Sequence, residues 1–302
     1  MSDPPWQGEV ELTLEGAQSL LRAQFPGLVS GPLRRLGRGW DNDALLVDDT
    51  WVFRFPRRRL AVPLIENEAR LLPRLVSQLP VPVPHPEHLG QPSEEYPFPF
   101  VGYRSLQGIT ADRVLMETDP SAMLAAPVGR FLRALHSVPP VGDEPGDELR
   151  RSDARSRLPV LEDRLRRLVS ALPPQVSLEE LLDTAQRSAD APPHRGPPVL
   201  VHGDLYSRHL LVDEQQDLVG VIDWGDLHRG DPALDLSFVI GFLQPDSRPA
   251  FFASYGLIDD ETAARARFRA LFHAAALLDY GLAVGDDFLA HSAGRSLQLG
   301  CR

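Results

Sequence analysis

Lysine is absent from this sequence of 302 residues, so all 31 residues counted as lysine or arginine are arginine. By itself this absence indicates only a bias in how the chain is encoded or how its solubility is tuned. Cysteine is nearly absent too, since Cys301 stands alone beside the last residue. A single thiol cannot form an intramolecular disulfide or a thiolate metal cluster, and its position argues against a nucleophile, so cysteine chemistry is excluded.

Long apolar runs are also lacking. No stretch of 18 apolar residues occurs, and the first dozen residues carry neither the basic segment nor the apolar core of a secretory signal. We therefore expect a cytoplasmic protein with no membrane partner. Positive charge is in deficit, because the formal net charge is −11 at pH 7. That balance argues against a nucleic-acid partner held by phosphate neutralisation and weakly favours small partners, cationic ones included.

The chain does have the length and the apolar content for a substantial core. A length of this order exceeds the usual range of a single core and favours two lobes. With 43% hydrophobic and 24% charged residues the composition is that of a globular protein, and 29 prolines with 23 glycines predict many loops. Collagen-like and disordered classes are excluded.

The first part of the chain has mainly the short alternating patterns of β-strands, bounded by two helical patterns. The predicted helices cover 12–23 and 65–79, and Pro73 interrupts the second. The predicted strands cover 33–36, 44–47, 51–55 and 98–106, and the proline-rich run 80–99 is predicted to be extended chain with one edge strand. These patterns indicate an antiparallel meander.

Helical patterns dominate beyond Gln107-Gly108, a plausible lobe boundary. They cover 122–138, 149–172, 178–189 and 259–290, and three short apolar runs at 198–202, 209–212 and 218–223 interrupt them. We therefore predict an α+β fold of two lobes. A small, antiparallel β-rich lobe covers 1–107, and a larger, mainly helical lobe covers 108–302.

Ionisable side chains are concentrated between Leu200 and Leu236, where they flank the short apolar runs. Loop residues beside a buried scaffold commonly converge on a cleft. Asp204 and Asp223 stand at the two ends of one predicted hairpin, which brings both carboxylates to one side of the lobe. Such a pair suits one base and one metal ligand.

The motif His202-Gly203-Asp204, followed by Ile222-Asp223-Trp224-Gly225-Asp226, resembles the kinase-like phosphotransferase family that includes aminoglycoside phosphotransferases, macrolide kinases and choline kinases. The resemblance implies a bilobal protein-kinase-like fold that transfers the γ-phosphate of ATP or GTP, with the nucleotide between the lobes. It implies that Asp204 takes up or orients the proton of the acceptor hydroxyl and that Asp223 holds Mg²⁺ on the phosphates.

His209 indicates which branch of this family the chain resembles. It stands five residues after Asp204, where the family usually has a metal-binding asparagine. The aminoglycoside 2″-phosphotransferases and the macrolide kinases also have histidine there, so the chain is most similar to that branch. The resemblance makes His209 a second candidate metal ligand, although Mg²⁺ prefers oxygen ligands.

The N-terminal part carries the same resemblance. The segment 34–43, which includes Gly37 and Gly39, is similar to the loop that covers the nucleotide phosphates, and 51–56 is similar to the third strand. That strand normally supplies a lysine to the α- and β-phosphates. Arg54 takes this position here, with a fixed and forked charge that can clamp phosphate in a different geometry. Glu68 is the implied partner of Arg54.

The segment 100–108 is similar to the hinge of the 2″-phosphotransferases. The resemblance implies that the backbone from Arg104 to Leu106 forms hydrogen bonds with the purine. It places Tyr103 behind the purine, where a bulky residue goes with GTP rather than ATP. The chain departs from this branch after Asp235, where the branch has a dense acidic patch and 236–250 here offers only Asp246.

Other polar residues have weaker patterns. Asp279 could contact a cationic substrate, although acids near helix N-termini also stabilise the helix itself. We expect the remaining polar residues of the motif region to brace its loops through hydrogen bonds: His202, Asp226, Asp231 and Asp235. Histidines without ligand spacing are interpreted as surface or core residues: His85, His88, His136, His228 and His273.

Three functions remain for the experiments to separate. The first is a Mg²⁺-dependent kinase of a small-molecule hydroxyl, with aminoglycosides as the leading acceptors and macrolides or other metabolites as alternatives. The second is a pseudokinase-like module that binds nucleotide without transfer, which Arg54 and His209 suggest. The third, a metal-dependent hydrolase, is disfavoured because the histidines lack a three-ligand constellation. The sequence leaves open the acceptor, the nucleotide and the oligomeric state.

Overall fold

The computed structural model describes residues 7–302, and the first six residues of the predicted N-terminal lobe lie outside the described residues. The chain divides into two compact units. Unit 1 contains the residues up to Ser77 together with Pro82–Leu106 and Trp224–Leu227, and unit 2 contains Gln78–Val81, Gln107–Asp223 and His228–Arg302. As functional lobes, the ranges 1–107 and 108–302 remain predictions.

Unit 1 is built on one antiparallel sheet of five strands in the order β1-β2-β3-β5-β4. The strands are β1 (Leu33–Arg38), β2 (Asn42–Val47), β3 (Trp51–Pro56), β4 (His88–Gly90) and β5 (Phe100–Arg104). The helices are α1 (Leu14–Gln24) and α2 (Val62–Leu71). The edge strand predicted within the proline-rich run is confirmed as β4.

Aromatic packing and one tight turn hold this sheet. Asp48 and Asp49 join β2 to β3 with positive φ angles of 53° and 51°, a conformation that aspartate tolerates better than most residues. Below the sheet, the rings of Phe55 and Phe100 stack with their centroids 4.6 Å apart, and both side chains are buried. The predicted helix 65–79 is wrong in its extent, because α2 ends before Pro73, which lacks the backbone N–H that a helix needs.

Unit 2 is mainly helical. Its helices are α3 (Ala111–Val114), α4 (Ser121–Ser137), α5 (Ala154–Arg167), α6 (Leu178–Ala189), α7 (Ala233–Phe242), α8 (Arg248–Tyr255), α9 (Asp260–Val284) and α10 (Asp287–Gly300). Its strands are β6 (Ile109–Thr110), β7 (Val199–Val201), β8 (Leu210–Val212), β9 (Leu218–Val221) and β10 (His228–Gly230). They form one sheet in the order β6-β8-β9 and one antiparallel pair, β7 with β10.

Two helices of unit 2 correct the sequence interpretation. The predicted helix 149–172 is shorter, because α5 begins at Ala154, where the Asp153 carboxylate accepts a hydrogen bond from the Ser156 N–H. The predicted helix 259–290 is two helices, because Gly285 ends α9 in the left-handed conformation at φ 70°. Helix α7 was not predicted. All of its residues are buried, so it lacks the amphipathic period that marks a surface helix.

The α+β class and the pairing of a small antiparallel sheet with a larger helical part are thus confirmed. Within residues 7–302, none of the helices combines the length and the apolar character that a membrane crossing requires.

Candidate active site

The loop between β7 and β8 carries Asp204. Its entry is shaped by Gly203, whose φ of 81° lies in the left-handed region that glycine adopts without steric cost. The Asp204 side chain is 24% exposed, so a ligand can reach it. Its two oxygens face different groups: Oδ2 lies 3.8 Å from His209 Nδ1, and Oδ1 lies 3.2 Å from His273 Nε2.

His209 is buried between the two acids. Its Nδ1 donates a hydrogen bond to the backbone carbonyl of Asp204 at 2.7 Å, because a carbonyl oxygen can only accept. In the neutral ring, Nε2 then carries a lone pair, and this atom lies 3.5 Å from Asp223 Oδ2. The structure therefore brings the three predicted residues Asp204, His209 and Asp223 together in unit 2.

Asp223 follows β9 in an uncommon conformation. Its φ of 64° is positive, which for a residue other than glycine costs on the order of 1–3 kcal/mol and is often found at functional sites. Its side chain is 45% exposed, the most accessible of the three. The backbone turn thus holds a carboxylate toward solvent beside the His209 ring.

His202 couples the loops of the two acids. Its Nε2 donates to the carbonyl of Ile222, directly before Asp223, at 3.1 Å, and its Nδ1 accepts from the Asp204 N–H at 3.3 Å. Both contacts suit a neutral ring, and complete burial lowers the pKa of His202, which keeps the ring neutral. The bracing role expected of His202 agrees with this geometry.

Asp235, in α7, binds the backbone of the loop that carries Asp204. Its carboxylate accepts from the N–H groups of His202 at 2.7 Å and Gly203 at 2.8 Å, and from His136 Nε2 at 3.1 Å. Burial would raise the pKa of Asp235, but these hydrogen bonds outweigh it and hold the pKa below its usual range. The interpretation of His136 as an ordinary core histidine is incomplete, since its ring also accepts a hydrogen bond from the Tyr255 hydroxyl at 2.8 Å.

Helix α9 supplies two contacts to Asp204 that the sequence did not reveal. His273, which the sequence indicates to be a surface or core histidine, lies 3.2 Å from Oδ1, and Arg269 Nη2 lies 3.5 Å from the same oxygen. These two residues are one helical turn apart, so they share a face of α9. The four-residue spacing of Arg269 and His273 was the available sequence signal. Nothing in the sequence connects this face of α9 to Asp204, which lies more than 60 residues earlier in the chain.

In unit 1, Arg54 and Glu68 form a buried ion pair. Arg54 Nη1 donates to Glu68 Oε2 at 2.5 Å, and the side chains are 6% and 0% exposed. The predicted pairing is therefore present. Of two further predicted residues, Gly37 lies within β1, opposite Ala44 of β2, and Gly39 lies in the connection of β1 to β2, where its N–H donates to the Asn42 carbonyl at 2.9 Å.

The predicted hinge residues lie at and after the end of β5. Tyr103 is buried against Val52 and Ile65, whereas Arg104 is exposed, with its guanidinium 4.6 Å above the Trp51 ring. Leu106 follows, half-buried. Between them, the Ser105 N–H is already committed to the Thr50 carbonyl at 2.7 Å, so this amide cannot serve a purine in the present arrangement.

A family model described as "Phosphotransferase enzyme family" matches residues 32–271. The chain belongs to this family. The chain is therefore a phosphotransferase with an alcohol group as acceptor, and the resemblance read from its motifs is confirmed. No curated protein sequence matches the chain.

Solved structures of two kinds resemble this phosphotransferase. The GDP and kanamycin complex of APH(2″)-IIia is 26% identical with a TM-score of 0.69, and the match covers 94% of this chain and 97% of that one. The GDP complex of wild-type aminoglycoside 2′-phosphotransferase-IIIa is 26% identical with a TM-score of 0.70, over 96% and 99%. The macrolide 2′-phosphotransferase MphH from Brachybacterium faecium, at 24% identity and a TM-score of 0.61 over 94% and 98%, shows the shared fold.

The donor set of the phosphotransferase fits a cation beside Asp223. The lone pair of His209 Nε2 and the Asp223 carboxylate face each other at 3.5 Å, an arrangement that a cation between or beside them stabilises. Within residues 7–302, no group of three or more histidine, cysteine or acidic side chains is assembled to hold a metal. Mg²⁺ commonly binds through one or two carboxylates together with waters and substrate phosphates, and such a site does not require a larger protein cage.

Asp279 has a structural partner in the phosphotransferase. Its carboxylate lies 3.4 Å from Arg164 Nε and 3.9 Å from Arg167 Nη2, both in α5. It is six residues beyond His273, which corresponds to about 9 Å along the axis of α9. The predicted contact of Asp279 with a cationic substrate stays a prediction, and the observed contacts do not bring Asp279 to Asp204.

Proposed function

We propose that this chain transfers the γ-phosphate of ATP or GTP to a hydroxyl of a small molecule, with Mg²⁺ as the cofactor. The observation that carries the proposal is the grouping of Asp204, His209 and Asp223 around one hairpin. The GDP bound in two structural neighbours supports a purine nucleotide as the donor. Phosphoryl transfer needs positioning and charge neutralisation more than covalent chemistry, and a hairpin with two fixed carboxylates suits that demand.

Each residue has a task that follows from its surroundings. Asp204 would accept the hydrogen bond of the acceptor hydroxyl and so aim its oxygen, since the carboxylate is exposed and its loop is fixed by Asp235. Asp223 and His209 Nε2 would hold Mg²⁺, which neutralises phosphate charge when bound. His209 Nδ1 stays on the Asp204 carbonyl and so fixes the ring orientation.

The predicted residues of unit 1 have the matching task of gripping the nucleotide. Arg54, oriented by Glu68, would contact the phosphates. Gly37 near the end of β1 and Gly39 in the connection to β2 would cover them, because a glycine has no side chain and lets its backbone approach a phosphate closely. Tyr103, Arg104 and Leu106 would border the purine. Among acceptors, kanamycin is the first to test, because a neighbour was crystallised with it. Macrolides and other metabolites with hydroxyl groups complete the panel.

The experiment compares wild type with three variants, each of which replaces one carboxylate in or beside the β8–β9 hairpin: Asp204→Asn, Asp223→Asn and Asp217→Asn. Nucleotide consumption is followed with ATP or GTP, Mg²⁺ and the acceptor panel. Asp204→Asn should lower kcat by about 10² to 10⁴ and leave the nucleotide KM nearly unchanged, the range expected for a lost proton acceptor. Asp223→Asn should abolish the Mg²⁺-dependent part of the thermal shift caused by nucleotide.

Asp217→Asn is the matched control, because Asp217 lies in the turn of the same hairpin and is exposed. It should behave as wild type. Equal rates for wild type and Asp204→Asn would contradict the role of Asp204. Nucleotide binding without transfer to any acceptor would instead favour the pseudokinase-like module.

A further inference from the structure

The two oxygens of the Asp204 carboxylate have different surroundings. Oδ1 faces helix α9, where Nε2 of His273 lies at 3.2 Å and Nη2 of Arg269 at 3.5 Å. Oδ2 faces His209, whose Nδ1 lies 3.8 Å away and donates its proton to the Asp204 backbone carbonyl instead. Among the residues that the structure describes, the donors closest to this carboxylate therefore lie on the Oδ1 side, and Oδ2 is the oxygen that can accept from an incoming hydroxyl.

An aspartate side chain does not hold the orientation of its own carboxylate. Rotation about the bond between Cβ and Cγ has broad minima, unlike the staggered torsions of an aliphatic chain. The direction of Oδ2 therefore depends on the groups that bind Oδ1. Arg269 and His273 are only 7% and 14% exposed, and both belong to a helix of 25 residues. A regular helix fixes a side chain more precisely than a loop does.

Aromatic packing holds the ring of His273. The ring of Tyr206, in the loop that carries Asp204, meets it edge-on, with centroids 5.1 Å apart and an interplanar angle of 81°. The same Tyr206 ring meets His209 at 4.3 Å and 62°. Tilted and edge-to-face contacts are the arrangements that aromatic rings favour. The rings of both histidines are thus fixed relative to this loop.

The contact with Oδ1 also determines where His273 carries a proton. An ionised carboxylate can only accept, so Nε2 must be protonated to bind it, whether the ring is neutral or charged. Arg269 Nη2 contacts the Gly203 carbonyl at 3.4 Å as well as the carboxylate. Removing Arg269 would disturb the loop backbone together with Asp204, so His273 is the better residue for a test.

We propose that His273 is a positioning residue for phosphoryl transfer: its Nε2–H binds Oδ1 of Asp204 and so aims Oδ2 at the acceptor hydroxyl. The inference rests on the proposed function and adds a residue to the same site. The hydroxyl proton passes to Oδ2 while the hydroxyl oxygen forms a bond to the γ-phosphorus, and the nucleoside diphosphate leaves with the electron pair of the broken P–O bond. Aiming matters because a displacement of about 1 Å can cost about 10²-fold in rate.

Two variants of His273 separate its hydrogen bond from its packing. His273→Phe keeps a ring against Tyr206 but removes the donor, so kcat should fall by about 10- to 100-fold. The nucleotide KM should stay within about twofold of wild type, because the lost interaction acts on the transfer step. His273→Gln, which retains an N–H donor, should recover most of the wild-type kcat. Rates are measured with the acceptor that wild type phosphorylates fastest, and thermal unfolding checks the fold.

A double variant tests whether His273 acts through Asp204. In the Asp204→Asn background, His273→Phe should lower the residual rate by less than about twofold, because residues that act as a unit have non-additive effects. An equal loss in both backgrounds would overturn the inference. His291→Phe is the control, the same change at an exposed position of α10, and it should behave as wild type.

Nuclear magnetic resonance of protein labelled with ¹⁵N-histidine tests the contact without any acceptor. The Nε2–H signal of His273, assigned by its loss in His273→Phe, should shift in Asp204→Asn. An unchanged signal would overturn the contact. A wild-type kcat in His273→Phe would overturn the positioning role and leave phosphoryl transfer intact. A shifted signal without transfer to any acceptor would support the contact and count against the proposed function.

Discussion

Arg54 and Glu68 show how a single arginine is accommodated within a sheet. The pair is almost fully buried, and the guanidinium and the carboxylate compensate each other where water cannot. Removing two charges from water is costly, so such a pair adds little net stability, but breaking it leaves one charge uncompensated. The pair therefore fixes the orientation of Arg54 more than it strengthens the fold.

We predict that Arg54→Ala lowers the free energy of unfolding by about 3–5 kcal/mol, because Glu68 loses its buried cation. Arg54→Lys keeps the charge and should cost less. Urea unfolding measures both, and the nucleotide KM of the surviving folded protein tests the phosphate role separately. Arg70→Ala, an exposed change in α2, is the control and should stay within about 0.5 kcal/mol. An Arg54→Ala variant as stable as this control would show that the pair is dispensable.

At the scale of single residues, the sequence predicts which side chains come together when they belong to one local motif. The hairpin between Asp204 and Asp223 predicted that the two carboxylates lie close together, and the family resemblance added His209. The structure brings all three residues together. Arg269 and His273 were missed because their contact with Asp204 joins positions more than 60 residues apart through the packing of α9. No local pattern encodes such a contact.

The long helical pattern near the end of the chain shows the same limit at the scale of elements. Apolar residues continue across Gly285 at helical spacing, so the pattern alone predicts one helix. The backbone instead turns there, and the N–H of Asp286 donates to the Gly281 carbonyl at 2.8 Å before α10 begins. The turn brings α10 back against α9, where Asp286 contacts Arg208 of the loop that carries Asp204.

We predict that Gly285→Ala destabilises the protein by about 1–2 kcal/mol, the cost of a left-handed conformation for a residue with a Cβ atom. Space is not the cause, because a Cβ at Gly285 would meet no atom within 4 Å. Gly146→Ala is the matched control, since that position is equally open and does not have a left-handed φ. It should be neutral or slightly stabilising. Thermal unfolding of both variants decides the point, and equal melting temperatures would refute it.

Helix α7 explains why an element can escape detection altogether. Its ten residues are all buried, so apolar side chains occur around its whole circumference and neither a helical nor a strand period results. The helix is nevertheless central to the site, because Asp235 projects from it to the loop of Asp204. The two-lobed class could be predicted because it rests on strand and helix periods, whereas α7, which binds the loop of Asp204 through Asp235, could not.

Over the molecule as a whole, many carboxyl groups prefer their charged form in the folded state. In Asp48, Asp153 and Asp259 a backbone N–H is the largest cause of the lowered pKa. In five other carboxyl groups, burial alone would raise the pKa, but hydrogen bonds to the carboxylate outweigh the effect of burial. These are Asp119, Glu144, Asp147, Asp235 and Asp286.

We predict that stability is lost in acid, below about pH 4. A carboxyl whose pKa is lower in the folded than in the unfolded chain stabilises the fold above its unfolded pKa of about 4. That contribution disappears as the pH falls through the folded pKa, because protons then bind the unfolded chain first. Urea midpoints measured from pH 7 to pH 2.5 should therefore fall at the acid end.

Asp235→Asn provides the internal comparison for this acid sensitivity. It removes one of the most deeply buried of these carboxylates, so its urea midpoint should be lower at pH 7 and should change less in acid than that of wild type. Equal midpoints at pH 7 and pH 3 for wild type would contradict the prediction.

Arginine in place of lysine also determines which covalent reagents can react at Arg54, the residue proposed to bind the nucleotide phosphates. Activated esters and aldehydes react with unprotonated amines, which attack the carbonyl carbon, and no side chain of this sequence offers such an amine. Probes that tag nucleotide sites by acylating a lysine would leave Arg54 unmarked, and lysine acetylation or ubiquitination has no side chain to modify. Dicarbonyl reagents, which condense with guanidinium groups, are the corresponding chemistry, and Glu68 shields Arg54 from them by holding Nη1 in a buried ion pair.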